Sequence, residues 1–412
     1  MPPKGNALIG QSGGPTIVIN GSLVGAIQAA EKRDDIETFY GAIHGLTGVL
    51  NEQMIDLFRE DDDVVDALKT TPSAALGSCR LKPTEGDLAR CMEVFKAHNI
   101  RYFFYNGGND SQLTCHLISE LAKSSDWDMQ VVGIPKTIDN DLVITDNCPG
   151  FGSAARFAAG AVQFAAKDAE AFGTVEVVEI MGRHAGWLTG ATQIGRLDDY
   201  MAPHLVYLPE VDVNPDEFLA DCRACYDEHG YLVVAVSEGF SFADSDAATM
   251  SQKIDEFGHA RLGGVASALG DMIEEELGVR ARDDKLGNLQ RCFAWAMSQV
   301  DMDEAYAAGY DAVNRACDGE TDIMVTIERT NQDPFEFETE TTSLVSVADQ
   351  TKLVPLDWLN DRHNGVTPEF IDYVKPLADK GAQGIAAGDL PAYPRMRKLY
   401  VDRKLEEYSR EQ

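Results

Sequence analysis

The chain has 412 residues, 44% of them hydrophobic, and a formal net charge of −33. A field this negative repels polyanions, so the composition argues against partners such as nucleic acid or an anionic membrane. The N-terminus reaches a glycine turn before an apolar signal segment could form, and no run of about 18 apolar residues follows. We therefore predict no membrane partner and a cytoplasmic location.

The length and the hydrophobic content favour two large cores rather than one. The eight cysteines lack the spacing of a small disulfide-rich domain and are typical of reduced thiols. Because the net charge is so negative, a site for an anionic ligand needs basic side chains gathered beside glycine turns. The candidates are Arg80, Lys82, Lys136, Arg183 and Arg291.

The first predicted unit is a strand at residues 6–11, a tight turn at residues 12–16 and a helix at residues 17–31 with an apolar period near 3.6. Gly13 and Gly14 in the turn would let the backbone approach a phosphate. The G-x-G-x-x-G spacing of dinucleotide-binding proteins is absent. This unit is therefore compatible with phosphate without identifying the ligand.

Hydrophobic runs typical of strands recur along the chain, with helical patterns between most of them. They cover residues 37–40, 102–105, 131–134, 175–180, 205–208, 232–236 and 323–327. The alternation predicts an α/β protein with two lobes of Rossmann-like, largely parallel sheets flanked by helices. We expect the active site in the cleft between the lobes.

An alanine-rich helix at residues 152–172, with Ser153 as a possible cap, marks the predicted crossover between the lobes. The predicted N-terminal lobe spans residues 1–150 and is completed by part of 302–350, and the second lobe spans residues 151–301. Residues 351–412 are predicted to form an appendage that ends in a charged surface helix at 395–411.

Two polar motifs directly follow predicted strands, at the sheet edge where open α/β folds bind ligands. The first is GGNDS at residues 107–111. Gly107 and Gly108 would allow close approach of a phosphate, and Ser111 could cap the next helix, whose N-terminus attracts anions. Taken alone, this motif fits an ordinary strand-to-helix turn equally well.

The second motif is PKTIDND at residues 135–141. In an extended loop the carboxylates of Asp139 and Asp141 would project to the same side. One could serve as a general base for a hydroxyl within about 3 Å, while the other orients a metal ion or the substrate. Together with Lys136 and the first motif, this pattern indicates a phosphoryl-transfer site.

Three later segments end predicted strands or turns with polar groups. They contribute Met181, Gly182, Arg183, Glu238 and Arg291. With GGNDS and PKTIDND these segments resemble the phosphofructokinase family, and specifically its pyrophosphate-dependent members. The matching motifs run from residue 10 to about residue 312, and their order and spacing are specific.

The resemblance implies a role for each matching position. Asp139 corresponds to the base that takes the proton from the C1 hydroxyl of fructose 6-phosphate, with Lys136 and Arg183 completing the catalytic set. The implied residues for the sugar and the transferred group are Thr137, Asp141, Met181, Gly182, Arg183, Glu238 and Arg291. The implied residues for the phosphoryl donor are Gly13, Gly14, Gly77, Ser78, Arg80, Lys82, Gly107, Gly108, Asp110 and Ser111.

Two positions bear on the donor. ATP-using relatives generally have glycine where this chain has Asp110 and Lys136. A carboxylate at Asp110 would oppose the α-phosphate of a nucleotide, whereas Lys136 would supply a cation to a compact donor. The resemblance therefore implies pyrophosphate as the donor and Mg²⁺ as the cofactor.

The chain departs from the family at Asn109, at Thr174 and in the stretch after Arg291, which lacks the usual pair of glycines. Asn109 replaces an expected carboxylate, so the implied metal ligands, Asn109 and Asp110, include one neutral amide. Thr174 stands where ATP-dependent bacterial enzymes carry an arginine that reaches the neighbouring subunit. A homodimer or homotetramer is still expected from the family.

Three alternatives remain open at this stage. An ATP-dependent member could tolerate Asp110 by moving the nucleotide. A noncatalytic regulator that binds sugar phosphates is suggested by Asn109, although Asp139 and the basic residues are retained. An NAD or lipid kinase would share only the glycine-rich turn.

Overall fold

The structure of the chain is a computed structural model that describes residues 3–243, 264–348, 350–383 and 392–410. Its strands are β1 (Gly5–Gln11), β2 (Ile36–Ala42), β3 (Met54–Asp56), β4 (Ile100–Gly107), β5 (Gln130–Pro135), β6 (Val175–Ile180), β7 (Leu205–Tyr207), β8 (Leu232–Ser237), β9 (Ala281–Lys285), β10 (Ile323–Gln332) and β11 (Phe335–Ser343). Its helices are α1 (Ile19–Ala30), α2 (Gly45–Leu50), α3 (Asp62–Leu68), α4 (Glu85–Ala97), α5 (Asn109–Ser124), α6 (Phe151–Phe172), α7 (Trp187–Gly190), α8 (Pro215–His229), α9 (Val265–Leu277), α10 (Gln299–Cys317) and α11 (Pro368–Ala378).

The first lobe is built on a seven-stranded sheet with the order β11-β10-β5-β4-β1-β2-β3. Its inner strands pair in parallel, and only the two edge strands β3 and β11 run antiparallel to their neighbours. Strands β4 and β5 are buried along almost their whole length, as expected where helices cover both faces of a parallel sheet. This burial explains why both were visible as apolar runs in the sequence.

The second lobe is built on a four-stranded parallel sheet with the order β7-β8-β6-β9. Every strand predicted from a hydrophobic run is present, and the predicted fold class is confirmed by the two largely parallel sheets with flanking helices. Strand β9 was not predicted, because its sequence ARDDK is polar and its outer residues are exposed at the sheet edge. None of the described helices is both long enough and apolar enough to cross a membrane.

Helix α6 begins where the chain passes from the first lobe to the second. Its N-cap is Gly150, so the predicted cap Ser153 lies inside the first turn. The backbone N–H groups of Gly150 and Ser153 donate to the Asp301 carboxylate on α10, at 2.7 and 2.9 Å. A buried carboxylate therefore satisfies the free amides of the helix N-terminus.

Glu304 lies one turn further along α10 and is fully buried, with Asn147 Nδ2 donating to its Oε2 at 2.6 Å. Burial raises the pKa of this carboxyl from 4.5 to about 8. The folded state therefore retains a proton that the unfolded chain loses near its ordinary pKa, so stability falls as the pH rises through this window.

We expect Glu304→Gln to remove this loss. The thermal midpoint of Glu304→Gln minus that of the native protein should increase by about 1–3 °C as the pH rises from 5.5 to 8.5. Thermal unfolding of both proteins across this range measures the difference, and Glu275→Gln on an exposed face of α9 is the matched control. Parallel pH profiles for the native protein and Glu304→Gln would contradict the assignment.

The C-terminal region divides into two parts. Residues 350–383 contain α11, whose Phe370, Val374 and Leu377 pack into the second-lobe core against α6. Residues 392–410, here named the C-terminal strap, lie instead along the first lobe. The predicted appendage at 351–412 is therefore not one unit.

The prediction of a surface helix at 395–411 is wrong, since the C-terminal strap contains no helix through residue 410. Its amides donate to carboxylates of the first lobe rather than to each other. Glu60 accepts from the N–H groups of Arg397 and Lys398 at 2.7 Å, and buried Glu52 accepts from those of Lys404 and Leu405. These distant acceptors decide the conformation of the segment.

Candidate active site

A cavity of about 420 Å³ opens between the carboxyl ends of the strands of the two sheets. Loops after β1, β4 and β5 supply one wall, and loops after β6 and β8 supply the other. The lining residues are Gly13, Gly14, Arg80, Gly108, Asn109, Asp110, Ser111, Lys136, Thr137, Ile138, Asp139, Asp141, Arg183, His184, Glu238, Arg291, Gln350 and Thr351. Most of the residues predicted from the sequence therefore meet in one cleft.

Six predicted residues do not line the cavity: Gly77, Ser78, Lys82, Gly107, Met181 and Gly182. Ser78 lies behind the first glycine turn, where its Oγ donates to the carbonyl of Gly13 at 2.6 Å. Gly77 has φ of 72° and packs so closely on the His44 ring that a Cβ would lie 2.5 Å from it. Ser78 therefore supports the turn from behind, whereas Gly77 packs on His44.

The other four positions have different surroundings. Gly107 packs against Ser111, and Gly182 has φ of 136° and accepts a hydrogen bond from Ser237 Oγ. The amide of Met181 donates to Gln290 Oε1 at 3.2 Å. Lys82 is exposed, and its carbonyl binds Arg410 of the C-terminal strap, so the structure does not bring this lysine to the cleft.

Ser111 does not cap α5, as the sequence had suggested, because that helix begins at Asn109 with Gly108 as its N-cap. The Ser111 hydroxyl instead donates to Ser12 Oγ at 2.9 Å. This hydrogen bond joins the glycine turn after β4 to the one after β1. The two phosphate-compatible turns thus form one wall.

Asp139 and Asp141 both line the cavity, but the loop is not simply extended between them. Asn140 has φ of 54°, in the left-handed region, and turns the chain between the two carboxylates. The amide of Asp139 donates to Thr137 Oγ1 at 3.1 Å, while Asp141 Oδ2 accepts from Asn109 Nδ2 at 3.0 Å. Each aspartate is therefore held by a different neighbour.

Burial raises the pKa of Asp139, and the charges of Arg291, Lys136 and Arg183 oppose this rise. Burial, followed by repulsion from Asp139, raises the pKa of Asp141 to about 7. The two carboxylates thus differ in surroundings, with the cations gathered around Asp139. The cations beside Asp139 favour the charged form that a general base needs, and burial opposes it.

Lys136 is buried at the floor of the cavity, where its Nζ donates to the carbonyl of Gly14 at 2.8 Å. Burial, followed by repulsion from Arg291, lowers the pKa of this ammonium to about 7. Arg291 packs against Gly14, where a Cβ would lie 2.8 Å from the guanidinium carbon. Together with Arg80 and Arg183, these side chains place four cations in the cleft, where they offset the lining carboxylates of Asp110, Asp139, Asp141 and Glu238.

The residues beside the first motif fit a hard divalent cation. Asn109 Oδ1 is buried without a hydrogen-bond partner, and the same amide holds Asp141 through its nitrogen. Asp110 lines the cavity next to it. Amide and carboxylate oxygens are the ligands that Mg²⁺ prefers in proteins.

His184, Gln350 and Thr351 were missed from the sequence. His184 directly follows the predicted residue Arg183, and this position was the available signal. Gln350 and Thr351 come from an irregular segment with no pattern, and only the tertiary fold brings them to the cleft.

Two parallel-sheet lobes around a cleft in which four cationic side chains surround a carboxylate pair define a phosphoryl-transfer architecture. The family model described as Phosphofructokinase matches residues 6–316, and the chain belongs to the phosphofructokinase family.

Several similar proteins carry the name of one activity. The chain is 38% identical over 413 residues to the pyrophosphate–fructose 6-phosphate 1-phosphotransferase of Halomonas elongata, covering 98% of this chain and 99% of that protein. It is 40% identical over 389 residues to the protein of the same name from Rhodospirillum rubrum, covering 92% and 95%. The crystal structure of a pyrophosphate-dependent phosphofructokinase from Nitrosospira multiformis superposes with a TM-score of 0.91 at 36% identity, covering 98% of this chain and 99% of that one.

Proposed function

We propose that this chain catalyses the reversible transfer of a phosphoryl group from pyrophosphate to the C1 hydroxyl of fructose 6-phosphate. The products are fructose 1,6-bisphosphate and inorganic phosphate. The observation that carries the proposal is the placement of Asp139, Asp110 and Lys136 in one cleft. Full-length relatives that bear the name of this activity support it.

Asp139 takes the proton from the C1 hydroxyl as O1 forms its bond to the terminal phosphorus. The bridging P–O bond breaks, and its electron pair leaves with inorganic phosphate. Arg183, Glu238 and Arg291 hold the sugar phosphate, since a guanidinium binds a phosphate through paired hydrogen bonds and a carboxylate accepts from sugar hydroxyls. Positioning and neutralisation of charge supply most of the catalysis in such transfers.

The donor lies against the glycine turns after β1 and β4. Lys136 and Arg80 face its oxyanions, where charge develops during transfer. A nucleotide would place its α-phosphate near the carboxylate of Asp110. Like charges about 4 Å apart at an effective dielectric near 20 repel by about 4 kcal/mol, roughly a thousandfold in binding.

We propose that the cofactor is Mg²⁺. The residues that would hold it are Asn109, Asp110 and Asp141. When bound, it neutralises charge on the phosphoryl oxygens. The glycine turns, Lys136 and Arg80 orient the donor.

We assign donor binding to residues 1–150 with part of 302–350, and sugar binding to residues 151–301. We further propose a homodimer or homotetramer that works in the cytoplasm. The cytoplasmic proposal is supported by the eight cysteines, all of which are free thiols.

The direct test is the initial rate of fructose 6-phosphate phosphorylation by purified enzyme with Mg²⁺, comparing pyrophosphate and ATP at equal concentration. Turnover with pyrophosphate alone is expected. Turnover with ATP alone would retain the base and overturn the donor assignment, and silence with both donors would favour a noncatalytic sugar-phosphate binder.

The lowered pKa of Lys136 predicts that pyrophosphate binding takes up a proton. Only the ammonium form attracts the anion, so the site must be protonated on binding above its ligand-free pKa of about 7. Calorimetry at pH 8 in buffers of different ionisation enthalpy should show about 0.5–1 more proton taken up by the native enzyme than by Lys136→Arg. Equal uptake by the two proteins would contradict the assignment.

A further inference from the structure

The turn between the two aspartates is held by the side chain of Asn140, which is fully buried. Its Oδ1 accepts from the amide of Cys148 at 3.0 Å, and its Nδ2 donates to the hydroxyl of Tyr373 at 2.8 Å. Both ends of the amide are thus engaged. These two side-chain hydrogen bonds hold Asn140 in its left-handed conformation.

Tyr373 belongs to α11, far along the chain from the motif. Its hydroxyl accepts from Asn140 and donates to the carbonyl of Asp146, so one group joins both halves of the loop at residues 137–150. A phenolic hydroxyl has one proton to donate and lone pairs to accept, and this arrangement uses both capacities. The hydroxyl thereby cross-links the loop.

The ring of Tyr373 is fixed by its own neighbours. Its centroid lies 5.2 Å from that of Trp187 and 5.3 Å from that of Trp358. The guanidinium carbon of Arg329 lies 3.9 Å from the ring centroid, and Arg329 Nη1 donates to the Tyr373 carbonyl at 2.7 Å. The hydroxyl is therefore presented to the loop from a rigid support.

We propose that Tyr373 is a positioning residue for the reaction: it fixes the left-handed turn at Asn140 and so sets the direction of the Asp139 and Asp141 carboxylates. This inference rests on the proposed function. It gives a residue of α11, which lies outside both GGNDS and PKTIDND, a part in the reaction. A loss of alignment of about 1 Å at a reacting group can cost about a hundredfold in rate, so one hydroxyl outside the cleft can matter.

Tyr373→Phe is the first test, because it removes the hydroxyl and keeps the ring in its packing. We expect kcat to fall by about 10- to 100-fold, with the KM values for both substrates within about threefold of native. Tyr231→Phe is the matched control, since that buried tyrosine donates one hydrogen bond to the Tyr200 carbonyl and lies outside the cleft. A kcat within about twofold of native for Tyr373→Phe, or an effect on KM alone, would overturn the proposal.

A double-mutant cycle tests the route of the effect. Asn140→Gly tolerates the positive φ but lacks the amide that Tyr373 holds. If the hydroxyl acts through Asn140, the double variant should have a kcat within about threefold of Asn140→Gly alone. If the fold losses in kcat of the two single variants multiply in the double variant, Tyr373 acts by a route other than Asn140, and the inference is overturned.

Hydrogen exchange on the ligand-free protein separates this inference from the proposed function. The amides of residues 139–148 should exchange about tenfold faster in Tyr373→Phe than in the native protein or in Tyr231→Phe. Unchanged exchange would overturn the positioning role. If exchange is faster in Tyr373→Phe but the native enzyme does not use pyrophosphate, the positioning role is supported and the proposed donor is overturned. The effect of Tyr373→Phe on kcat would then be measured with ATP.

Discussion

Replacing Asp139 by asparagine is expected to lower kcat for phosphorylation of fructose 6-phosphate by at least about 100-fold. The substitution keeps the shape of the side chain and its place in the cleft, but an amide cannot accept the proton of the C1 hydroxyl. Binding depends on other groups, so the KM for the sugar phosphate should stay within about fivefold of native. Steady-state rates with pyrophosphate and Mg²⁺ measure both quantities.

Asp128→Asn is the control for the loss of one negative charge, because Asp128 is exposed and lies outside the cavity. Its kcat should match that of the native enzyme. A kcat of Asp139→Asn within about tenfold of native, with the fold intact by circular dichroism, would show that another group is the base. Asp141 would then be the first alternative, since it lines the same cavity.

The second large effect concerns donor choice. Asp110→Gly is expected to raise the ratio of kcat/KM for ATP to that for pyrophosphate by about 100- to 1,000-fold, since it removes both the charge and the bulk that oppose an α-phosphate. Initial rates with each donor at subsaturating concentration give the ratio directly.

Asp110→Asn separates the two causes, because it keeps the bulk and removes the charge. If repulsion dominates, Asp110→Asn should give most of the gain in the ratio; if steric exclusion dominates, only the glycine variant should. An unchanged ratio in both variants would contradict the assignment of Asp110 as the residue that excludes nucleotides.

The elements that could be predicted from sequence are those whose residues carry a local signature. Strands β4 and β5 are buried on both faces, so their sequences are continuous apolar runs. The polar motifs after them lie at the sheet edge that binds ligands. These two facts are enough to bring Gly108, Lys136 and Asp139 into one cleft.

What could not be predicted depends on partners distant in the chain. The charged sequence of the C-terminal strap is typical of a surface helix, and only the carboxylates of Glu52 and Glu60 explain why it is not helical. In the same way, the left-handed turn at Asn140 is supported by Tyr373, more than two hundred residues away. Local pattern contains no information on either pairing.

The order of the strands also has a consequence for synthesis of the protein. Among the described residues the second sheet is formed by β6 to β9, and all four strands have been translated once Lys285 has been added. The first sheet lacks β10 and β11 until Ser343 has been made, and the C-terminal strap reaches it only at the end of translation. The lobe that is translated first is therefore completed last, and until then the edge of β5 is open to pairing with other nascent chains.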